Sequence, residues 1–386
     1  MKIVIAPDGF KGSLSARAVC EAVAAGLKQA DPEVEVVEVP IADGGDGTTE
    51  VLVEGTQGRL VEQMVIGPLG MPVQAVFGIL GDARTAIIEM ATASGLALLP
   101  PKLRNPLNTN TYGVGQLIQA ALDHGCRDFI IGVGGSATND AGAGVAQALG
   151  AKFFDTEGKE ITRVTGRTLR QLGHIDTGTL DSRLEESGFR VACDVKNPLY
   201  GPEGAAYVYG PQKGATPEAL AELDEGLQRF AELVQRELGK EVGNLPGAGA
   251  AGGLAAGLAA FCDAELGPGA EVVLDTIGLR EIALGAALLI TGEGRLDSQT
   301  PYGKGPAAVA HLGRELGIPV VAIAGAVTCT VEELETLGLA VAWSCSRGPE
   351  SLEEAMEPTR ARQNLELAGY NLTRTLRLGG RVARPE

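Results

Sequence analysis

Aromatic residues are scarce in this sequence: they make up 4% of its 386 residues, and a single one is a tryptophan. The apolar residues are therefore mostly aliphatic, and 55 glycines allow many tight turns. That combination favours α/β layers over a β-sandwich. Histidine is scarcer still, with three residues that lie outside every motif described below. A Ser-His-Asp triad or a histidine base is therefore not expected, and carboxylates are expected to carry any proton transfer.

The sequence also lacks paired cysteines, a signal peptide and a long apolar run. Its six cysteines lie far apart without a C-x-x-C pair, so neither a disulfide framework nor a zinc site is expected. The first residues have the pattern of a strand, and the longest apolar stretch, residues 248–262, is too short to span a membrane. These absences predict a cytoplasmic protein without a membrane partner.

Positive charge is in deficit, since 32 lysines and arginines stand against 49 aspartates and glutamates, for a net charge of -17. DNA, RNA and anionic membranes bind basic surfaces, so no nucleic-acid or membrane partner is expected. The net charge does not exclude small anions as ligands, because an acidic protein can still contain a local basic cluster. Small molecules are therefore the expected partners.

Both ends of the chain show the alternation of strand and helix that builds a parallel sheet. A strand, a helix and a strand are predicted at residues 2–6, 15–30 and 34–39. The same alternation returns after residue 277, with apolar strands such as 286–290. Parallel strands need crossover connections of this length. The two ends are therefore predicted to share one sheet.

The middle of the chain begins with a different pattern. Runs typical of strands at 60–66, 73–80 and 85–90 follow one another too closely for crossover helices, so they are expected to pair antiparallel. Since a single core rarely exceeds about 250 to 300 residues, two domains are expected. We predict an α/β fold in which a parallel-sheet domain, 1–59 with 281–386, carries an inserted α/β domain of mixed sheet, 60–280. A cleft between two such domains is the usual place for a ligand.

The segment GVGGSATNDAGAG, residues 132–144, is the most informative motif. A predicted strand is followed by glycines, hydroxyl side chains and one carboxylate, at the place where a helix is expected to begin. Backbone N–H groups at such a turn bind anions, which makes candidates of Gly134, Gly135, Ser136 and Asn139. Helix capping alone is the alternative, but five glycines exceed what a cap needs.

Two further loops follow predicted strands. GEGRLDSQTPYGKG contributes candidates along its length, and PDGFKGS contributes three charged or hydroxyl side chains. Arginine suits a carboxylate or phosphate because its fork binds two oxygens. The alternative for GEGRLDSQTPYGKG is a surface salt-bridge network, and the alternative for PDGFKGS is an ordinary βα turn with a surface lysine. The candidates in these loops are Gly292, Glu293, Gly294, Arg295, Asp297, Lys304, Asp8, Lys11 and Ser13.

Carboxylates at other turns are candidates for metal binding and for proton transfer. ADGGDGTTE places Asp43, Asp46 and Glu50 around a diglycine, and their carboxylates could bind a hydrated Mg²⁺. The alternative is an acidic helix start that complements the helix dipole. Asp140 of the glycine-rich segment is a further candidate for Mg²⁺. Asp194 in ACDVKNPL ends a predicted strand, and an Asx turn is its alternative. Lys213 in GPQKG is a weaker candidate, and GAGAAGG is interpreted as a closely packed helix start and not as a dinucleotide fingerprint.

Together these motifs resemble the bacterial class I glycerate kinase family. The resemblance runs in order from Met1 to about residue 348 through MKIVIAPDGFKGSLSA, PIADGGDGTTE, IGPLG, NPLNTNTYGVG, GVGGSATNDAGAG, ACDVKNPLYGPEGAA, GPQKGAT, PGAGAAGGL, ITGEGRLDSQT and GKGP. It implies an ATP-dependent kinase that phosphorylates D-glycerate, usually to 2-phosphoglycerate, with Mg²⁺. The implied fold is a flavodoxin-like or Rossmann-like domain joined to a second α/β domain.

Roles for the candidates follow from this resemblance as hypotheses. Arg295 and Lys11 are expected to bind the glycerate carboxylate or the transferring phosphoryl group. The glycine-rich segment is expected to bind nucleotide phosphates, and the choice among Asp43, Glu50 and Asp140 for Mg²⁺ stays open. So does the choice of proton acceptor; the two alternatives for that base are Asp194 and Asp297.

Three positions depart from the family pattern. Gly9 stands where serine is common, Tyr302 where histidine is common and Gly305 where alanine is common. Because of the first two changes, an alternative function stays open: a kinase for another small hydroxy acid or sugar acid. A non-catalytic sensor of organic acids is an alternative of a different class, and a homodimer stays open as the oligomeric state.

Overall fold

The computed structural model describes residues 1–45, 47–298, 300 and 305–382. Three residues named above, Asp46, Tyr302 and Lys304, lie outside the described residues. The chain divides into two compact units: Met1–Asp43 with Val273–Glu386, and Gly44–Val272. We call them the terminal unit and the central unit. No helix in the described ranges is both long and apolar enough to cross a membrane.

Strands and helices are numbered here in chain order. The strands are β1 (Lys2–Ile5), β2 (Glu35–Glu38), β3 (Arg59–Ile66), β4 (Pro72–Ile79), β5 (Thr85–Glu89), β6 (Asp128–Gly132), β7 (Lys152–Asp155), β8 (Leu172–Asp176), β9 (Gly188–Ala192), β10 (Glu265–Gly267), β11 (Leu288–Thr291), β12 (Arg295–Leu296), β13 (Val320–Ala324), β14 (Ala326–Val327) and β15 (Val341–Ser344). The helices are α1 (Ala16–Ala30), α2 (Thr48–Gly55), α3 (Ala91–Ser94), α4 (Tyr112–Asp123), α5 (Ala143–Ala148), α6 (Ala205–Tyr209), α7 (Pro217–Leu238), α8 (Ala250–Cys262), α9 (Gly269–Thr276), α10 (Leu279–Ala283), α11 (Gly305–Leu316), α12 (Val331–Leu337), α13 (Leu352–Met356) and α14 (Pro358–Val382).

The terminal unit contains a parallel sheet in the order β2-β1-β11-β13-β15. Within this unit the order is 2-1-3-4-5, as in flavodoxin-like folds. Successive side chains of β1 enter different cores, Ile3 and Ile5 on one face and Val4 on the other. The sheet is therefore buried on both faces, which explains why its strands are continuously apolar. The predicted pairing of strands from both chain ends is confirmed.

The central unit contains a mixed sheet in the order β10-β9-β6-β5-β4-β3. Strands β3, β4 and β5 pair antiparallel, as their close spacing predicts, whereas β5, β6, β9 and β10 are parallel. Two small sheets complete the units, β7 with β8 here and β12 with β14 in the terminal unit.

Hydroxyl side chains cap several of the helix starts. Ser15 accepts a hydrogen bond from the N–H of Ala18, and Thr216 accepts one from Ala219 with Pro217 at the first position of α7. The helix expected to begin within the segment 132–144 starts only at Ala143, because Ala141 and Gly142 have left-handed φ angles of 54° and 69°. An irregular turn thus precedes this helix.

The capping box at Thr330 offers a stability test in the terminal unit. Its hydroxyl accepts from the N–H of Glu333, and the Glu333 carboxylate accepts from the N–H of Thr330. We expect Thr330→Ala to lower the free energy of unfolding by about 1 kcal/mol, because the helix loses this cap. Urea denaturation measures the change. Thr336→Ala on the same helix is the control, and an equal loss there would contradict a capping effect.

Candidate functional site

The carboxyl edge of the terminal sheet brings three predicted carboxyl groups together. Asp8 follows β1, Asp43 follows β2 and Glu293 follows β11. The N–H of Asp8 donates to the carbonyl of Gly292 at 2.8 Å, which ties the two loops at the point where the strand order reverses. In open α/β sheets ligands bind at such a switch point. We call this group the switch-point cluster: Asp8, Lys11, Asp43 and Glu293.

The charges of the switch-point cluster act on one another. Lys11 Nζ lies 3.0 Å from Asp43 Oδ2. Burial and the neighbouring Asp43 carboxylate raise the pKa of Asp8 to about 7, although the N–H of Gly9 and the charge of Lys11 oppose the shift. Burial opposes the charge of Lys11, but Asp43, Asp8 and Glu293 outweigh it and raise the Lys11 pKa. Lys11 therefore stays protonated beside an excess of carboxyl groups.

The loop after β11 carries the remaining predictions of the terminal unit. Glu293 is buried and accepts from the hydroxyl of Thr300 at 2.8 Å. Arg295 Nε lies 3.6 Å from Asp297 Oδ2, and 64% of the arginine side chain is exposed. Gly292 packs so closely on the next strand that a Cβ there would lie 2.0 Å from the carbonyl of Ile323. The loop thus combines a closely packed turn at Gly292 with a solvent-accessible guanidinium at Arg295.

Ser13 is the third candidate of the first loop. Its N–H donates to the carbonyl of Phe10, whereas its hydroxyl is buried without a hydrogen-bond partner among the described residues. A buried hydroxyl without a partner is unfavourable. This observation agrees with a place for Ser13 beside a ligand.

The glycine loop of the central unit, residues 133–142 between β6 and α5, exposes Gly134 and Gly135. The carbonyl of Gly135 accepts from the N–H of Leu96 at 2.8 Å, and the N–H of Ala137 donates to Ser94 at 3.0 Å. Because a trans peptide is planar, the N–H of Ser136 faces away from Leu96. It has no backbone acceptor among the described residues. An anion is a suitable partner for such an amide.

Asp140, near the end of the glycine loop, is completely buried. Its Oδ2 accepts from the N–H and hydroxyl of Thr111 and from the N–H of Gly144, and its Oδ1 accepts from the N–H of Gly142. Burial raises its pKa, while these donors oppose the shift. Both oxygens are occupied, which speaks against the expected role of Asp140 as a magnesium ligand. Asn139 is also buried, and its amide atoms have no partner among the described residues.

Asp194 and Glu50 lie elsewhere in the central unit. Asp194 is exposed, and its Oδ1 accepts from the N–H of Gly269, the first residue of α9, at 2.8 Å. This contact is a long-range capping bond at the start of α9, and it differs from the local Asx bond named as the alternative. Glu50 is exposed in the first turn of α2.

Glu89, which no sequence motif singled out, caps the start of α2. Its carboxylate accepts from the N–H groups of Thr49 at 2.7 Å and Gly47 at 3.4 Å, and burial raises its pKa. The signal was weak, because Glu89 ends an apolar strand and belongs to no glycine turn. It occupies amide groups at the start of α2 that an anion would otherwise bind.

No group of three or more His, Cys, Asp or Glu side chains in the described ranges is arranged to hold a metal ion. Mg²⁺ needs few protein ligands when phosphates and water supply the others.

Comparisons with known proteins agree along the whole chain. The model of the Glycerate kinase family matches residues 3–377. The chain is 47% identical over 378 residues to a glycerate kinase of Bacillus subtilis, covering 98% of both proteins. It is 46% identical to a glycerate 2-kinase of Escherichia coli, covering 99% of this chain and 100% of the relative. A crystal structure described as glycerate kinase 2, from Salmonella typhimurium LT2, matches with a TM-score of 0.90 at 48% identity and covers 99% of each chain.

Proposed function

The chain belongs to the glycerate kinase family, and we propose that it transfers the γ-phosphoryl group of ATP to D-glycerate to form 2-phosphoglycerate. The family consists of phosphotransferases. The observation that carries the proposal is the likeness to a glycerate 2-kinase over essentially the full length of both chains. The two units each have their own sheet and buried core, and we propose that they are its two domains.

Both reactants are anions, so the protein must hold two negative groups close together. Phosphoryl transfer is catalysed mainly by positioning and by electrostatic stabilisation. We assign Lys11 and Arg295 to the glycerate carboxylate or the phosphoryl group, because both are exposed cations at the carboxyl edge of the terminal sheet. Asp8, Ser13 and the Gly292 turn then line the same edge.

The glycine loop is assigned to the nucleotide phosphates. Gly134 and Gly135 are exposed, and the N–H of Ser136 has no backbone acceptor among the described residues. These features suit phosphate oxygens, which accept several N–H bonds at once.

Asp43 is assigned to Mg²⁺, with Glu50 as the alternative. The Asp43 side chain is 20% exposed and already carries a cation, Lys11, at 3.0 Å. Mg²⁺ is bound by one or two carboxylates plus phosphates and water. When bound, it would neutralise charge on the phosphates.

The base that accepts the hydroxyl proton is tested by two substitutions measured separately. We expect Asp297→Asn to lower kcat more than about tenfold, roughly 1.4 kcal/mol in the barrier, with little change in KM. Asp194→Asn is expected to change kcat by less than about threefold, because Asp194 caps α9. The reverse result would assign the base to Asp194. If neither variant changes turnover, both assignments are wrong.

The reaction itself is tested with purified protein, ATP, Mg²⁺ and a panel of hydroxy acids and sugar acids. Two-dimensional ³¹P–¹H NMR identifies the phosphorylated carbon, which we expect to be C2 of D-glycerate. Turnover of another acid but not glycerate would establish a different kinase. Glycerate binding without any phosphorylated product would establish a sensor.

A further inference from the structure

A buried lysine lies beneath the glycine loop. Lys213 is 1% exposed and is the one fully buried basic side chain among the residues that the structure describes. Burial lowers the pKa of its ammonium group to about 7, and the neighbouring Asp140 carboxylate opposes the shift. A methionine of similar size would avoid this desolvation. A side chain that destabilises the fold in this way indicates a functional demand at its position.

Lys213 holds the main chain of the loop from the inside. Its Nζ donates to the carbonyl oxygen of Thr138 at 2.8 Å. Gly252 packs against the same carbonyl: it has a φ of +70°, and a Cβ there would lie 2.0 Å from the Thr138 oxygen. The carbonyl is therefore enclosed between the ammonium group and the glycine backbone. It cannot turn outward without breaking the bond to Lys213.

Other carbonyls of the loop are held in the same manner. The hydroxyl of Thr109 donates to Ala137 at 2.8 Å, and the N–H of Leu96 donates to Gly135 at 2.8 Å. Because each peptide is planar, a carbonyl bound inside the protein directs the next N–H away from that partner. The exposed turn at Gly134 leaves the outer side of the loop accessible to an anion.

We propose that Lys213 is a positioning residue of the nucleotide-phosphate site, which holds the Thr138 carbonyl inside the protein and thereby keeps the glycine loop in its phosphate-binding shape. The inference rests on the proposed function, in which this loop binds the phosphates of ATP. Lys213 acts through the loop and does not touch the nucleotide.

The test is Lys213→Met, with MgADP as the probe, at pH 6.5. We expect calorimetry to show MgADP binding weakened about tenfold, while kcat at saturating ATP and KM for glycerate change less than about threefold. We also expect the melting temperature not to fall, because removal of the buried ammonium group offsets the lost hydrogen bond. A purely structural lysine would lower the melting temperature and leave MgADP affinity unchanged.

Gln119→Met is the matched control. It removes a bond of the same 2.8 Å length, from Gln119 Nε2 to the carbonyl of Ala148, in the same unit but outside the loop. Equal MgADP affinity in Lys213→Met and wild type, or an equal loss in Gln119→Met, overturns the inference.

A second variant decides the question if Lys213→Met does not fold. Thr109→Val removes the bond to Ala137 and is expected to weaken MgADP binding in the same way, so unchanged affinity overturns the inference. Two results together would refute only the role of Lys213: the wild-type protein phosphorylates glycerate, and both variants bind MgADP with wild-type affinity. Wild-type protein without any affinity for MgADP refutes the proposed function as well.

Discussion

Replacement of Lys11 by methionine is expected to lower kcat/KM for glycerate phosphorylation by about 100-fold, equivalent to about 2.7 kcal/mol of transition-state stabilisation. The positive charge of Lys11 lowers the pKa of Asp8, whereas the carboxylates of Asp43 and Glu293 raise it. Without Lys11, Arg295 would be the remaining assigned cation for an anionic substrate beside these carboxyl groups. Steady-state kinetics at varied glycerate and fixed MgATP measures the change.

Loss of stability should not account for this effect. The Lys11 side chain is 74% exposed, and exposed ion pairs contribute little to folding. Lys28→Met, at the exposed end of α1, is the matched control and is expected to leave kcat/KM unchanged. If Lys11→Met keeps kcat/KM within about threefold of wild type, Lys11 is not a substrate-binding residue.

Asp8→Asn is expected to stabilise the terminal unit, and more so as the pH rises. The folded-state pKa of Asp8 is about 7, above its ordinary value of 3.8, so the folded protein binds more protons than the unfolded chain between these values. Wild-type stability therefore falls as the pH rises through this window, whereas asparagine does not titrate. The stability advantage of Asp8→Asn should grow by about 2 to 3 kcal/mol between pH 5 and pH 8.

The chain offers a selective probe for this measurement. Its single tryptophan, Trp343, lies on β15 in the same unit as Asp8. Urea denaturation followed by tryptophan fluorescence at pH 5, 6, 7 and 8 therefore reports on the terminal unit. Asp275→Asn, an exposed carboxyl of that unit, is the control. A difference between Asp8→Asn and wild type that does not vary with pH would show that Asp8 titrates normally.

The strand pairings could be predicted because they depend on local spacing. Residues 60–90 leave no room for a crossover helix, so hairpin pairing of β3, β4 and β5 was the expected geometry, and it is confirmed. The start of α5 could not be predicted, because Asp140 has the local pattern of a helix cap. Left-handed angles at Ala141 and Gly142 prevent that start, and they depend on packing against Gly252 far along the chain.

The residue types of the candidate site could be predicted from the sequence. Which of its carboxylates are already hydrogen-bonded inside the protein could not. Both Asp43 and Asp140 belong to glycine-rich segments, and nothing in the local sequence distinguishes their roles. The difference comes from Thr111, which donates two hydrogen bonds to Asp140 and thereby occupies its carboxylate. Asp43 instead pairs with Lys11 at the switch point of the terminal sheet.

By itself, the sequence determined the class of fold, the family and the acidic and glycine-rich turns of the candidate site, because spacing, apolar periodicity and ordered motifs are properties of the linear chain. Only the tertiary structure decided which carboxyl groups are buried and already bonded, and that Lys213 reaches Thr138 from a distant segment. Burial and hydrogen-bond partners depend on residues far apart in the chain. The pKa of Asp8 is therefore a property of the folded switch-point cluster, not of the PDGFKGS motif.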